Sequence, residues 1–420
     1  MFNSEKVIKK LKNIIYNKNN KNTVEVLDIF KDKNFIKCLK EQAFDNEGKQ
    51  VEIFNEKGEI IEENINKVIK IICPNYWIIS IEGIHIFINL KILNLIYNKI
   101  KELPSEIGKL RNLKLLDLRH NQIRKLPKEI GNLKKLESLD LAENKLQYLP
   151  EEIWNLEKLK ELYLYKNQIK KLPNEIVKLG NLKVLKLYDN QIKEIPKEIC
   201  NLKNLKILDL ESNQLQCLPK KIGELKSLKI LNLKNNQIKK IPQTTWNLKS
   251  LEVLDLSYNQ LQELPEEINK LKSLKELYLY NNQIKNLPEK VWNLKNLKIL
   301  DLNYNQIKEI PKEIKKLKNL KKIYFGNNQL QWLPEEILEL NKLKQIWLYK
   351  AFNFSNLKQD SEELLNILKT LKDKNVLDDY DLKYLEEKIY PILEEKIKEK
   401  YKITDLKQIK DNLNLDNLTF

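Results

Sequence analysis

The chain has 420 residues and a formal net charge of +17, with eight glycines and four cysteines. So few glycines leave no phosphate-cradling loop, and so few cysteines argue against a disulfide framework. A basic balance raises nucleic acid or an anionic membrane as partners. Yet Arg111, Arg119 and Arg124 are the only arginines among 76 basic residues. The planar arginine fork suits phosphates and base edges, so nucleic acid is not the expected ligand. A bias toward Lys, Asn and Ile accounts for the charge.

Residues 1–66 carry no repeat and read as an N-terminal cap. The apolar spacing predicts helices over 4–16, with Val7, Leu11, Ile14 and Ile15 on one face, and over 24–44, with Val26, Leu27, Phe30 and Leu39. Residues 50–54, 55–58 and 59–61 read as strand, turn and strand of a short hairpin. The first twenty residues are charged throughout and lack the apolar core of a secretory signal. No run of about 18 apolar residues exists, so no membrane span is expected. Cys38, Cys73, Cys200 and Cys217 have no C-x-x-C spacing and read as free thiols, which favours a reducing compartment. A cytoplasmic protein follows, unless an unrecognised route exports it.

From about residue 67 a repeat begins in degraded form. Ile69 and Ile71 look like a strand pair, and Ile78, Ile81, Ile84, Phe87 and Leu90 follow at threefold spacing. The repeat is then regular. Asn98, Asn121, Asn144, Asn167, Asn190, Asn213, Asn236, Asn259, Asn282, Asn305 and Asn328 stand 23 residues apart. Each closes a frame L-x-x-L-x-L-x-x-N, as in Leu113, Leu116, Leu118 and Asn121. Each is followed by an apolar residue and then Leu/Ile-Pro, as in Ile123, Leu126 and Pro127. A fixed period of this length marks a solenoid. The L-x-L run alternates at period two and reads as a strand, with parallel neighbours supplied by adjacent repeats. Proline lacks an N–H, so the return path cannot form a second ladder. The asparagine amide both donates and accepts, which suits a tight turn inside a stacked core. Strands of three to five residues are expected around Asn94, Asp117 and every 23rd residue to Trp347.

These residues resemble the leucine-rich repeat family over about 90–350, in the 23-residue L-P-x-x-I subtype found in bacterial proteins and Ras-pathway scaffolds. The string I-x-x-I-E-G-I-x-x-F-x-N-L at 78–90 resembles the entry repeat of internalin-like proteins. The resemblance implies an α/β solenoid, a curved horseshoe with a parallel sheet on its concave face, and protein binding. It implies no particular partner. The repeat domain spans 67–350, and Ala351 holds the slot where the next asparagine would fall. Residues 351–420 read as a C-terminal helical cap, with amphipathic helices over 361–373 and 379–401, the second kinked or split at Pro391, and a short helix at 404–412.

No metal-ligand pair, P-loop or G-x-S-x-G elbow occurs. An enzyme is not expected, and no cofactor. In the nine-residue frame, slots three, five, seven and eight point out of the core. Eleven of these 48 positions are aromatic, ten acidic and six basic. The candidate partner-binding set is Tyr163, Tyr165, Tyr188, Asp209, Asp255, Tyr258, Tyr278, Tyr280, Asp301, Tyr304, Tyr324 and Trp347. Tyrosine and tryptophan serve as interface anchors, and the aspartates would select basic groups. Tyrosine also favours strands for packing alone. Trp154, Trp246 and Trp292 share a slot on the convex side and read as packing between coils. The expected function is a monomeric scaffold or adaptor in signal transduction that binds a protein on its concave face. The alternatives are an exported effector or adhesin with the same surface, and a lysine-driven nucleic-acid or anionic-membrane binder.

Overall fold

A computed structural model of the chain describes residues 29–401. The helices expected at 4–16 and 404–412, and the start of that at 24–44, lie outside the described residues. Of the described part of 24–44 only Lys33–Glu41 is one continuous helix, with Asp32 capping its start and Ala43–Phe44 turning into a strand. The chain divides after Gln214 into two compact units.

In the first unit, helix α1 covers Lys33–Glu41 and α2 covers Glu62–Ile65. Asp32 caps α1 by accepting from Asn34 N at 2.7 Å, and its second oxygen accepts from Ser80 N at 3.0 Å. One carboxylate thus fastens the cap helix to the entry repeat. Two tight antiparallel turns lie between the helices, bridging Phe44 to Gln50 and Phe54 to Ile60. The second is the expected hairpin. Strand β1 (Ala43–Phe44) pairs antiparallel with β2 (Lys70–Ile72). Six parallel strands follow in chain order: β3 Ile92–Asn94, β4 Leu115–Asp117, β5 Ser138–Asp140, β6 Glu161–Tyr163, β7 Val184–Lys186 and β8 Ile207–Asp209. Gly83, at φ +90°, sits against the Phe30 ring, and any β-carbon there would collide with it.

Two of the four cysteines are not the free thiols expected from their spacing. Cys38 on α1 and Cys73 just after β2 form a disulfide, with Cα atoms 5.8 Å apart. Neither lies in a regular repeat, so the period gave no sign that they meet. Cys200 is buried and Cys217 exposed, and neither is in a disulfide.

The second unit holds β9 Ile230–Asn232, β10 Val253–Asp255, β11 Glu276–Tyr278, β12 Ile299–Asp301, β13 Lys322–Tyr324 and β14 Gln345–Trp347, again parallel and in order. In both units each strand is centred on its buried leucine or isoleucine, such as Leu116 or Leu277. The sequence placed the centre one residue later, on the outward side chain. The difference has a backbone cause. The residue before the asparagine slot is left-handed in every repeat, from Tyr97 at φ 58° to Lys350 at φ 53°, and this curls the chain out of the strand. Opposite the strands, a proline opens nearly every return as a short 3-10 turn, Pro127 for instance at φ −70°.

Each asparagine stitches two repeats together. Asn121 Nδ2 donates to Leu118 O at 3.0 Å in its own repeat and to Leu95 O at 2.9 Å in the one before. Its Oδ1 accepts from Ile100 N at 3.0 Å, also in the preceding repeat. The same pattern binds Asn282 to Leu279 O, Leu256 O and Leu261 N. Trp154, Trp246 and Trp292 are buried at the 3-10 turns, as packing residues. The glycines one repeat upstream of Trp154 and Trp246, Gly131 and Gly223, let those turns close on backbone where a β-carbon would not fit.

The tail ends the second unit by imitating a further repeat. Val376 O accepts from Ile346 N at 2.8 Å, and Asp381 Oδ1 accepts from Leu348 N at 3.0 Å. These are the bonds that a next strand would make. Where the next asparagine would accept, Ala351 O accepts from Leu330 N at 2.8 Å, and Gln359 both donates to Leu333 O and accepts from Leu333 N. Helix α3 (Ser361–Asp373) buries Leu364, Leu365, Leu368 and Leu371. Helix α4 (Asp379–Tyr384) passes through a wide π turn at Leu385–Ile389 into α5 (Tyr390–Tyr401). Pro391 therefore neither ends nor splits the helical path; the wider turn before it makes room for a ring without an N–H.

Three predictions follow from this scaffold. Leu208→Ala is expected to cost about 2–5 kcal/mol by opening a core cavity, and Asn213→Ala about 1–3 kcal/mol by orphaning Ile192 N and two carbonyls. Lys206→Ala should change little, and denaturant midpoints rank the three. At the left-handed position of Lys166, Lys166→Val should destabilise by about 1–2 kcal/mol while Lys166→Gly should not, in the same assay. Burial pushes the Asp381 carboxyl up to about 7, with Asp378 adding to the rise. A raised carboxyl favours the fold when protonated, so its contribution is complete below about pH 4 and is lost as pH rises through 7. Asp381→Asn keeps the acceptor for Leu348 N and should remove that part of the pH dependence in thermal melts taken from pH 4 to 8.

Candidate interaction face

Side chains at slots three and five alternate with buried leucines, so they stand on the outer face of the sheet. Slots seven and eight extend that face past the strand ends.

In the first unit, β6–β8 bring Tyr163, Lys186 and Asp209 into direct register. The Tyr163 hydroxyl donates to Glu161 Oε2 at 3.3 Å. Tyr165 and Tyr188 stack at 4.3 Å with an interplanar angle of 9°. Beside them lies an ion-pair group that the sequence reading did not single out. Arg119 reaches Asp117 Oδ2 at 2.8 Å and Asp140 Oδ2 at 3.0 Å, so one guanidinium bridges carboxylates on adjacent strands. Burial pushes Asp140 up to about 7 despite that contact. Asp117, Arg119, Asp140, Tyr163, Tyr165 and Tyr188 line a shared depression.

The second unit contains the denser group. Tyr278 lies in register between Asp255 and Asp301, and its hydroxyl donates to Glu276 Oε2 at 2.9 Å. Tyr258, Tyr280 and Tyr304 form a row with ring centres 4.9 and 5.0 Å apart. Tyr258 and Tyr304 are exposed by 41% and 47%, because their left-handed backbone lifts the rings out of the sheet. Burial raises the phenols of Tyr278, Tyr280 and Tyr324 above the ordinary tyrosine value. These tyrosines therefore keep their protons and act as donors at neutral pH. Tyr324 donates to Gln345 Oε1 at 3.1 Å. Trp347 stands apart. Its indole stacks on Tyr380 of α4 at 5.6 Å, and Tyr380 also packs on Tyr349. The tail thus covers part of the ring that the sequence placed in the open.

The aspartates have a second task that the sequence did not reveal. Asp209, Asp255 and Asp301 each accept from the backbone N–H two residues on, at 3.2, 2.8 and 3.0 Å. Each holds the turn with one oxygen. Burial pushes Asp301 up to about 6, and the Asp255 charge adds to this. The signal was present as the alternation of Asp and Asn in slot five, since both side chains cap turns in this way.

Among the described residues, no group of three or more His, Cys, Asp or Glu side chains is placed to hold a metal ion. No described helix is long and apolar enough to cross a membrane.

Known proteins place this geometry. A family model described as leucine-rich repeat region matches residues 67–167, 174–231 and 268–418, and one for the leucine-rich repeat matches 226–284. A leucine-rich repeat protein of Leptospira interrogans superposes with a TM-score of 0.68 at 37% identity, over 79% of this chain and 84% of that one. An internalin of Listeria monocytogenes gives 0.68 at 24% identity, over 78% and 92%, a likeness of fold alone. A TDR receptor gives 0.58 at 27% identity, over 68% and 56%. No functionally curated protein matches the sequence. With most of its length matched by the family model, the chain belongs to the leucine-rich repeat family.

Proposed function

We propose that the protein is a non-enzymatic binder of another protein, and that the outer sheet face of its second unit is the contact surface. Leucine-rich repeat proteins typically mediate protein–protein interactions, and no enzyme family matches this chain. The observation that carries the choice of face is the row of Tyr258, Tyr280 and Tyr304 beside Tyr278, Asp255 and Asp301. Closely spaced rings of this kind supply contact area at low entropic cost. Asp255 and Asp301 flank Tyr278, so a lysine or arginine of the partner fits over that ring between two carboxyls. Arg119, held between Asp117 and Asp140, is this chain's own example of a guanidinium seated in the slot-five column. In the first unit Tyr163, Tyr165, Tyr188 and Asp209 form a second group of the same chemistry.

The compartment we propose is an oxidising one, with the protein exported, rather than the cytoplasm. The Cys38–Cys73 disulfide supports this reading, because such bonds persist where thiols are not kept reduced. The bacterial relative at 37% identity fits a bacterial source. A cytoplasmic scaffold in signal transduction is the second reading. Fractionating native cells and medium, with thiol alkylation before denaturation, separates the two. An alkylated Cys38 in the cell fraction overturns the exported reading.

A partner captured from the native surroundings and titrated by calorimetry tests the face. Tyr278→Ala with Tyr280→Ala should leave the melting curve nearly unchanged and weaken binding by about 2 kcal/mol or more. Lys312→Ala with Lys316→Ala, on the turn side, should alter only salt sensitivity. Normal binding by the tyrosine variant together with lost binding by the lysine variant would reject the face.

A further inference from the structure

One rim of the second unit carries a charge pattern that protein binding on the sheet face does not use. The residue just before each strand is, in chain order, Lys229, Glu252, Lys275, Lys298, Lys321 and Lys344. These positions are direct neighbours. Lys298 N donates to Lys275 O at 2.7 Å, Lys321 N to Lys298 O at 2.7 Å, and Lys344 N to Lys321 O at 2.8 Å. From Lys275 on, four lysines follow one another with no acid between, at the strand spacing of about 4.8 Å. Three residues upstream, in the turns leading into β11–β13, stand Lys272, Lys295 and Lys318. Apart from half-buried Lys275, all of these are exposed.

The array shows how such a column is neutralised when it is. Where this slot holds glutamate, neighbouring lysines close on it: Lys160 on Glu137 at 2.6 Å in the first unit, and Lys229 on Glu252 at 2.8 Å in the second. Glu252 also takes Lys275, and Glu339 takes Lys318 at 3.5 Å. Lys295, Lys298, Lys321 and Lys344 have no ion-pair partner among the described residues. Like charges side by side on neighbouring strands are destabilising. The fold therefore carries a repulsive run that a bound polyanion would relieve, with release of counterions as a further gain.

We infer that this rim binds a linear acidic polysaccharide, whose carboxylate or sulfate groups lie along the lysine column, about one charged group per repeat at the strand spacing. Two features select a polysaccharide over a nucleic acid. No aromatic side chain occurs at these rim positions to stack on bases. The second unit also contains no arginine, so it lacks the planar fork that reads base edges. Lysine supplies point charges on flexible stems, which meet anionic groups strung along a chain without reading a planar edge.

A fluorescently labelled, heparin-derived oligosaccharide titrated into the full chain over a range of salt concentrations tests this. Lys298→Ala with Lys321→Ala and Lys344→Ala should weaken binding about tenfold or more and lower the salt slope by about two to three. Lys239→Ala with Lys285→Ala and Lys308→Ala, exposed elsewhere on the same unit and equal in charge, should stay within about twofold of the parent. The rim variant's thermal midpoint should hold or rise, since repulsion is relieved, which separates lost binding from lost folding. The tyrosine double variant should bind the oligosaccharide normally, so this test is independent of the protein partner. Equal losses in both lysine variants, or none in the rim variant, overturn the inference. So does an oligothymidylate of matched charge that binds as tightly through the same three lysines.

Discussion

The asparagine amide is the constraint on which the rest of the structure depends. It sits buried at the end of each strand, where backbone groups of two successive repeats would otherwise lack partners. Two donors and one acceptor on a short, planar side chain meet three such groups at once, as Asn121 does with Leu118, Leu95 and Ile100. A buried backbone group left unpaired costs roughly 1–3 kcal/mol, so the amide holds strand, turn and neighbour in one register. Because it bonds backward, to the repeat already placed, each repeat completes the one before it. The left-handed residue next to it belongs to the same arrangement. The chain must curl to aim the amide inward, and the network of bonds sustains a conformation that a lysine or tyrosine would not adopt alone.

What was legible in the sequence is what repeats. The period located the strands to within one residue, and with them the inward leucines, the proline turns and the asparagines. The left-handed slot was hidden because its occupants are mixed: Tyr97, His120, Glu143, Lys166 and Ser212 share no chemistry that announces positive φ. The disulfide was hidden because Cys38 and Cys73 lie 35 residues apart in the least regular stretch. The cover over Trp347 was hidden for the same reason, since Tyr380 comes from a tail with no period of its own. For Trp347 the missing information was a contact between a periodic and an aperiodic segment.

On the outer face, scaffold and recognition are made from the same atoms. Asp255 and Asp301 each commit an oxygen to their own turn. That bond fixes the orientation of each carboxyl, and a group held in advance loses less entropy on binding. Position five is therefore a turn cap and, on the proposed binding face, also a specificity position. Replacing its aspartates would alter the backbone as well as the charge.

The tail has a consequence for how this molecule changes over generations. Val376 and Asp381 satisfy the last strand with the bonds that another strand would supply, and Gln359 caps Leu333. Asp32 and the disulfide fasten the opposite end to the entry repeat alone. Neither end cap depends on how many units lie between. A recombination that adds or removes a whole 23-residue unit leaves both caps matched to the surfaces they cover. The run Glu-Leu-Tyr-Leu-Tyr, which occurs at both 161–165 and 276–280, is the kind of trace such events leave. Array length is thus a free variable for this fold, while the chemistry of its ends is fixed.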